Sequence, residues 1–138
     1  MFKKYINPEI KILIADDAGG ARAALRHQLA KLGLHNVVEA SDGEEAVQKL
    51  GSEHGFTLAI LDAQMPGLQG TEMLKRIEGD KRMSAIPLIM AATHGEWEDL
   101  EVTGARLLGH LPKPVMFEEL AEQLGVAFAG VTPAAVEA

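Results

Sequence analysis

Apolar residues recur along the chain in two alternating rhythms. The short runs IKILIA (10–15), NVVEA (36–40), TLAIL (57–61), PLIMA (87–91) and LLGHL (107–111) read as strands. Several are apolar nearly throughout, as strands of a parallel sheet covered on both faces should be. Between them the spacing widens to the helical period. Leu25, Leu29 and Leu32 form one stripe, stopped by Gly33. Ser41 and Glu44 make an S-x-x-E capping signature ahead of EEAVQKL. Thr71 opens EMLKRI, where Met73, Leu74 and Ile77 share a face, and Phe117, Leu120, Leu124 and Phe128 stripe a last helix. The weakest segment is HGEWEDLEVTGA, which offers Trp97 and Leu100 before a threonine and a glycine. It predicts a short or irregular fourth helix.

Five β-α units in a row predict an α/β domain: a parallel sheet, right-handed crossovers and helices on both faces. The 138 residues suit one domain, with residues 1–8 an N-terminal extension, 9–129 the domain and 130–138 a flexible tail. The absence of cysteine excludes disulfides and thiolate metal sites. A net charge of -7 argues against binding nucleic acid, which needs a basic footprint. No apolar run approaches the roughly 20 residues that span a bilayer. The opening MFKKYINPE is not a secretory signal, so a cytoplasmic setting is expected.

Open α/β sheets gather their chemistry outside the carboxyl ends of the strands. The first strand ends in Asp16 and Asp17, the third in Asp62, and the fifth runs through HLPKP into Lys113. A single aspartate after a strand is equally a turn or capping residue. Four such groups at successive strand ends point to one crevice. Three close carboxylates repel one another unless a cation neutralises them. Mg²⁺, a hard ion held by carboxylates, water and phosphate oxygens, suits them. Mg²⁺, a carboxylate nucleophile and a lysine together suit phosphoryl chemistry.

The set DD, DAQMPGLQG and KP, with 45 residues from Asp17 to Asp62 and 51 from Asp62 to Lys113, resembles the response regulator receiver family. This is the CheY-like domain of two-component signalling, and the resemblance spans about residues 9 to 128. It implies a flavodoxin-like, doubly wound sheet of five parallel strands in the order 2-1-3-4-5. It implies that Asp62 accepts a phosphoryl group from a histidine kinase or phosphotransfer protein. Asp17 would then bind Mg²⁺ directly, Asp16 chiefly through water, and the backbone carbonyl of Gln64 would complete the protein's ligands with Asp62. Lys113 would pair with the phosphoryl oxygens, and the Lys113–Pro114 bond would be cis.

Three positions depart from the family pattern. The threonine or serine that usually ends the fourth strand is replaced by Ala92, 30 residues after Asp62, with Thr93 one position later. Either a one-residue slip brings the Thr93 hydroxyl inward, or Thr93 bonds locally in a loop and the site uses a backbone N–H and Lys113. His110 stands three positions before the lysine, where the family often has an aromatic ring. Gly19 and Gly20 open the first helix, either to keep the crevice open or as a frayed start. His27, His35, His54 and His94 show no ligand spacing and read as surface residues.

The expected function is a stand-alone receiver, monomeric or weakly dimeric, that signals by binding a downstream protein. Its only chemistry would be its own phosphorylation and dephosphorylation, and no output domain follows its last helix. The alternative is a receiver-like interaction module that switches weakly because of Ala92. A Mg²⁺-dependent phosphatase is less favoured, because Gln64 stands where a general acid is needed. Flavodoxin-like cofactor binding is disfavoured by carboxylates where a phosphate loop needs donors.

Overall fold

The computed structural model describes residues 4–5, 9–100, 107–128 and 136–137. Five strands, β1 (Ile12–Ala15), β2 (Val37–Ala40), β3 (Leu58–Asp62), β4 (Leu88–Ala92) and β5 (Leu107–Pro112), alternate with five helices. These are α1 (Gly19–Lys31), α2 (Gly43–Ser52), α3 (Gly70–Glu78), α4 (His94–Asp99) and α5 (Phe117–Ala127). The strands form one parallel sheet in the order 2-1-3-4-5. The expected topology is therefore observed.

Strand residues divide by alternation between two cores. Leu13, Ala15, Ala59, Leu61, Leu88 and Met90 pack with α2 and α3, and Trp97 and Leu100 join that side. Ile12, Ile14, Leu58, Ile60, Ile89 and Ala91 pack with α1 and α5. All residues of β1, β3 and β4 are buried, which is why their sequences carry no polar alternation. Leu25 and Leu29 are the buried stripe of α1, and Leu120 and Leu124 that of α5.

Helix starts differ from the sequence reading by about one residue. The cap of α2 is Asp42, whose Oδ1 accepts the Glu45 N–H at 2.7 Å, not Ser41 paired with Glu44. Glu45 turns back to accept the Ser41 N–H at 2.6 Å. Gly43 explains the register, because a Cβ there would run into the Leu68 carbonyl. Likewise α3 begins at Gly70, where a Cβ would meet the Leu100 side chain and lie 3.1 Å from the Ala63 carbonyl oxygen, so Thr71 is its second residue.

The fourth helix is short, as expected, and runs for six residues. The rest of its segment, residues 101–106, lies outside the described residues. The N-terminal extension is not idle. Lys4–Tyr5, within it, pairs antiparallel with Val136–Glu137. The Tyr5 N–H donates to the Leu32 carbonyl at 2.6 Å, and its ring meets Phe128 edge-on at 5.2 Å. Gly33, at φ 85°, leaves room for the Tyr5 backbone. The other residues of 1–8 and 130–138 lie outside the described residues.

At the β2 edge, Arg26 donates to the Val37 carbonyl at 3.1 Å and Lys49 to the Glu39 carbonyl at 2.6 Å. The Glu39 carboxylate lies between Arg22 and Arg26, at 2.9 Å from each. Among the described residues, no helix is long and apolar enough to cross a membrane.

Candidate functional site

β1 and β3 are neighbours on either side of the point where strand order reverses, so their carboxyl ends flank one crevice. Asp16 is half-buried and Asp17 exposed. The loop between β1 and α1 is fixed from both sides. Asp16 accepts the Ala18 N–H on Oδ1 at 2.9 Å, and its carbonyl accepts Arg22, itself paired with Glu39. Gly19 and Gly20 open a regular α1. A Cβ at Gly20 would touch nothing, and one at Gly19 only the tip of Arg22 at 4.0 Å. Neither glycine is demanded by a close contact.

Asp62 ends β3 and is 5 % exposed, the sole buried charged residue among those described. Its Oδ1 takes two donors, Lys113 Nζ at 2.5 Å and the Gln64 N–H at 3.0 Å. Among the described residues no donor is assigned to Oδ2. Burial pushes the Asp62 carboxyl above its ordinary range. The Lys113 and Gln64 bonds pull it back, and the Asp16 charge adds to the rise.

Lys113 follows β5, and the Lys113–Pro114 bond is cis. Burial alone would lower the Lys113 pKa, but hydrogen bonds to Asp62 and Glu96 outweigh it and leave it raised. One oxygen each from Asp16, Asp17 and Asp62 lie within 4.8 Å of one another. All three are hard donors, the set that a Mg²⁺ ion takes. The residues present therefore fit the ion. Gln64 lines the same cavity, of about 430 Å³, which is also lined by the apolar side chains of Ala21, Ala24 and Leu25.

Ala92 is wholly buried and offers no hydroxyl. Thr93 does not replace it. Its side chain is exposed and caps α4, accepting the Glu96 N–H on Oγ1 at 3.2 Å, while its own N–H donates to Glu96 Oε1 at 2.9 Å. The one-residue slip is therefore not observed, and the local loop bond is. His110 is half-buried. Its Nε2 lies 2.8 Å from the Ala92 carbonyl oxygen, and its ring stacks on Trp97 at 4.5 Å and 3°. His27, His35, His54 and His94 are exposed.

Glu96 is the residue that the sequence reading missed. Its Oε1 lies 2.9 Å from Lys113 Nζ, and it lines the cavity. Burial would raise its carboxyl, but bonds from the Thr93 N–H and Lys113 hold it below the usual range. The signal was present as T-x-x-E from Thr93 to Glu96, a capping pattern on a segment too short to show helical periodicity.

A parallel sheet with three acids and a lysine at its carboxyl rim defines a receiver of the CheY type. The sequence model of the response regulator receiver domain matches residues 12–125, and the chain belongs to that family. It is similar to the chemotaxis protein CheY-3 of Vibrio cholerae serotype O1, at 33% identity over 124 residues, 89% of this chain and 95% of the relative. It is 32% identical over 118 residues to chemotaxis protein CheY1 of Helicobacter pylori, covering 85% and 95%. The structure of the response regulator CheY4 of Vibrio cholerae superposes with a TM-score of 0.72 at 27% identity, covering 86% of this chain and 98% of that one. That of the bacteriophytochrome response regulator AtBRR gives 0.77 at 25% identity, covering 93% and 98%. Such receivers are signalling proteins rather than conventional enzymes. They generally bind Mg²⁺ at an acidic pocket and work through kinases, phosphotransfer proteins and downstream targets.

Proposed function

We propose that this chain is a phosphorylation-dependent switch in which Asp62 accepts a phosphoryl group from a histidine kinase or a phosphotransfer protein. The observation that carries the reading is Asp62 itself: buried, with both assigned donors on Oδ1 and two further carboxylates beside it. Oδ2 is then the oxygen that attacks. The O–P bond forms there as the donor's N–P bond breaks, and the imidazole nitrogen departs with the electron pair. Lys113 holds Oδ1 and offers its positive charge to the incoming oxygens. Asp16, Asp17, Asp62 and the Gln64 carbonyl would hold Mg²⁺, which when bound supplies charge neutralisation for carboxylates and phosphoryl oxygens alike. The switched state is passed on by binding a cytoplasmic protein partner.

One observation favours a second reading, an interaction module that switches weakly. Ala92 has no hydroxyl, and that of Thr93 is committed to the α4 cap. Incubation with Mg²⁺ and acetyl phosphate, followed by intact-mass measurement, separates the two. The switch gains one phosphoryl mass that Asp62→Asn does not. No gain under conditions that label an ordinary receiver would leave the module reading standing.

A further inference from the structure

Lys113 has two carboxylate partners, and only one of them is the acceptor. Asp62 Oδ1 and Glu96 Oε1 both lie within 2.9 Å of its Nζ. The same Glu96 oxygen receives the Thr93 N–H, and the Glu96 N–H returns to the Thr93 hydroxyl. One carboxylate thus joins the site lysine to the first turn of α4. The next residue, Trp97, stacks on His110, whose ring is bonded to the Ala92 carbonyl. The chain of contact runs from Asp62 through Lys113, Glu96 and Trp97 to His110 without using a hydroxyl at position 92.

We propose that Glu96 is a resident ligand of Lys113 that phosphorylation of Asp62 evicts, and that its departure loosens α4 and parts Trp97 from His110. The inference rests on the phosphoryl-accepting role of Asp62. Physically, phosphorylation replaces a carboxylate of one negative charge by an acyl phosphate of about 1.5 to 2, with its new oxygens placed beside a lysine that already serves two carboxylates. The lysine balances one charge, so the new oxygens displace the weaker claimant and repel it. A helix of six residues has almost no stability of its own. It depends on the cap that Glu96 completes and on the packing of Trp97, so a moved Glu96 reorganises the whole segment. Where the family pattern draws a hydroxyl inward, this chain pushes a carboxylate out. Glu96 is a positioning residue, acting through Lys113.

The readout is built in, because Trp97 is the sole tryptophan. The full chain is treated with Mg²⁺ and acetyl phosphate, and its emission spectrum is read against phosphoryl occupancy from intact mass. The unmodified protein should show an emission change that grows with occupancy. Glu96→Gln keeps an oxygen for the cap and for Lys113 but removes the charge that is repelled. Compared at equal occupancy, it should lose most of that change. As a second arm without any phosphoryl donor, Lys113→Met should shift the Trp97 emission of the resting protein, because it frees Glu96. A full emission change in Glu96→Gln, or none in the phosphorylated parent, overturns the proposal while leaving the acceptor role intact. A Lys113→Met protein with unaltered resting emission also overturns it. Absence of any mass gain on Asp62 removes both readings together.

Discussion

Burying Asp62 opposes its own ionisation, and Lys113 only partly offsets that. Desolvation raises the carboxyl above its ordinary value and the nearby Asp16 adds to the rise. The folded protein therefore holds this proton to higher pH than the unfolded chain does. Its contribution to stability is present below the unfolded pKa and is lost as pH rises through the folded one. Asp62→Asn should raise the thermal unfolding midpoint at neutral pH, since Lys113 still has Glu96 as a partner. The gain should shrink in scans run in acid, below the ordinary carboxylate range. A lower midpoint at neutral pH would contradict the assignment of burial as the dominant cause. At this scale the four rim residues were legible because strands that are apolar to their ends expose where charge begins. Glu96 was not, because its place depends on how α4 is capped rather than on any strand.

Among the elements, the strands were the most legible, and their ends shifted by only one or two residues. A run buried on both faces leaves little freedom in where it starts. Helix starts were less legible, because the deciding contact is tertiary. At α2 two oxygens compete to cap, Ser41 and Asp42, and the Leu68 carbonyl settles the matter by excluding a side chain at Gly43. Asp42→Ala should therefore cost about 1 kcal/mol in denaturant unfolding, the usual worth of a cap. Ser41→Ala should cost clearly less, since its hydroxyl makes only a 3.3 Å contact with Glu45. Equal losses would restore the Ser41 register. The short α4 illustrates the opposite limit. Its six residues are too few for a periodic stripe, and tertiary bonds at Thr93, Glu96 and Trp97 hold it in place.

Across the whole molecule, two apolar layers sandwich the sheet, and this division was readable in the unbroken apolar strands. The closing ladder of Lys4–Tyr5 with Val136–Glu137 was not, because two residues show no period. Tyr5 nevertheless belongs to the core, 6 % exposed against Phe128. Tyr5→Ala should destabilise the domain by about 3 kcal/mol, in line with other large-to-small aromatic truncations, and a urea midpoint would show it. A change near zero would mean that the first residues are dispensable. The far border of the sheet carries a different lesson. Strand β2 is an edge strand, and such an edge is a template for another chain. Its Asn36 and Ala40 carbonyls face β1, leaving those of Val37 and Glu39 turned outward. Arg26 reaches one of these from α1, and Lys49 reaches the other from α2. Two cations from opposite faces thus engage the acceptors that an adding strand would need, which blunts this border against edge-to-edge pairing with another chain.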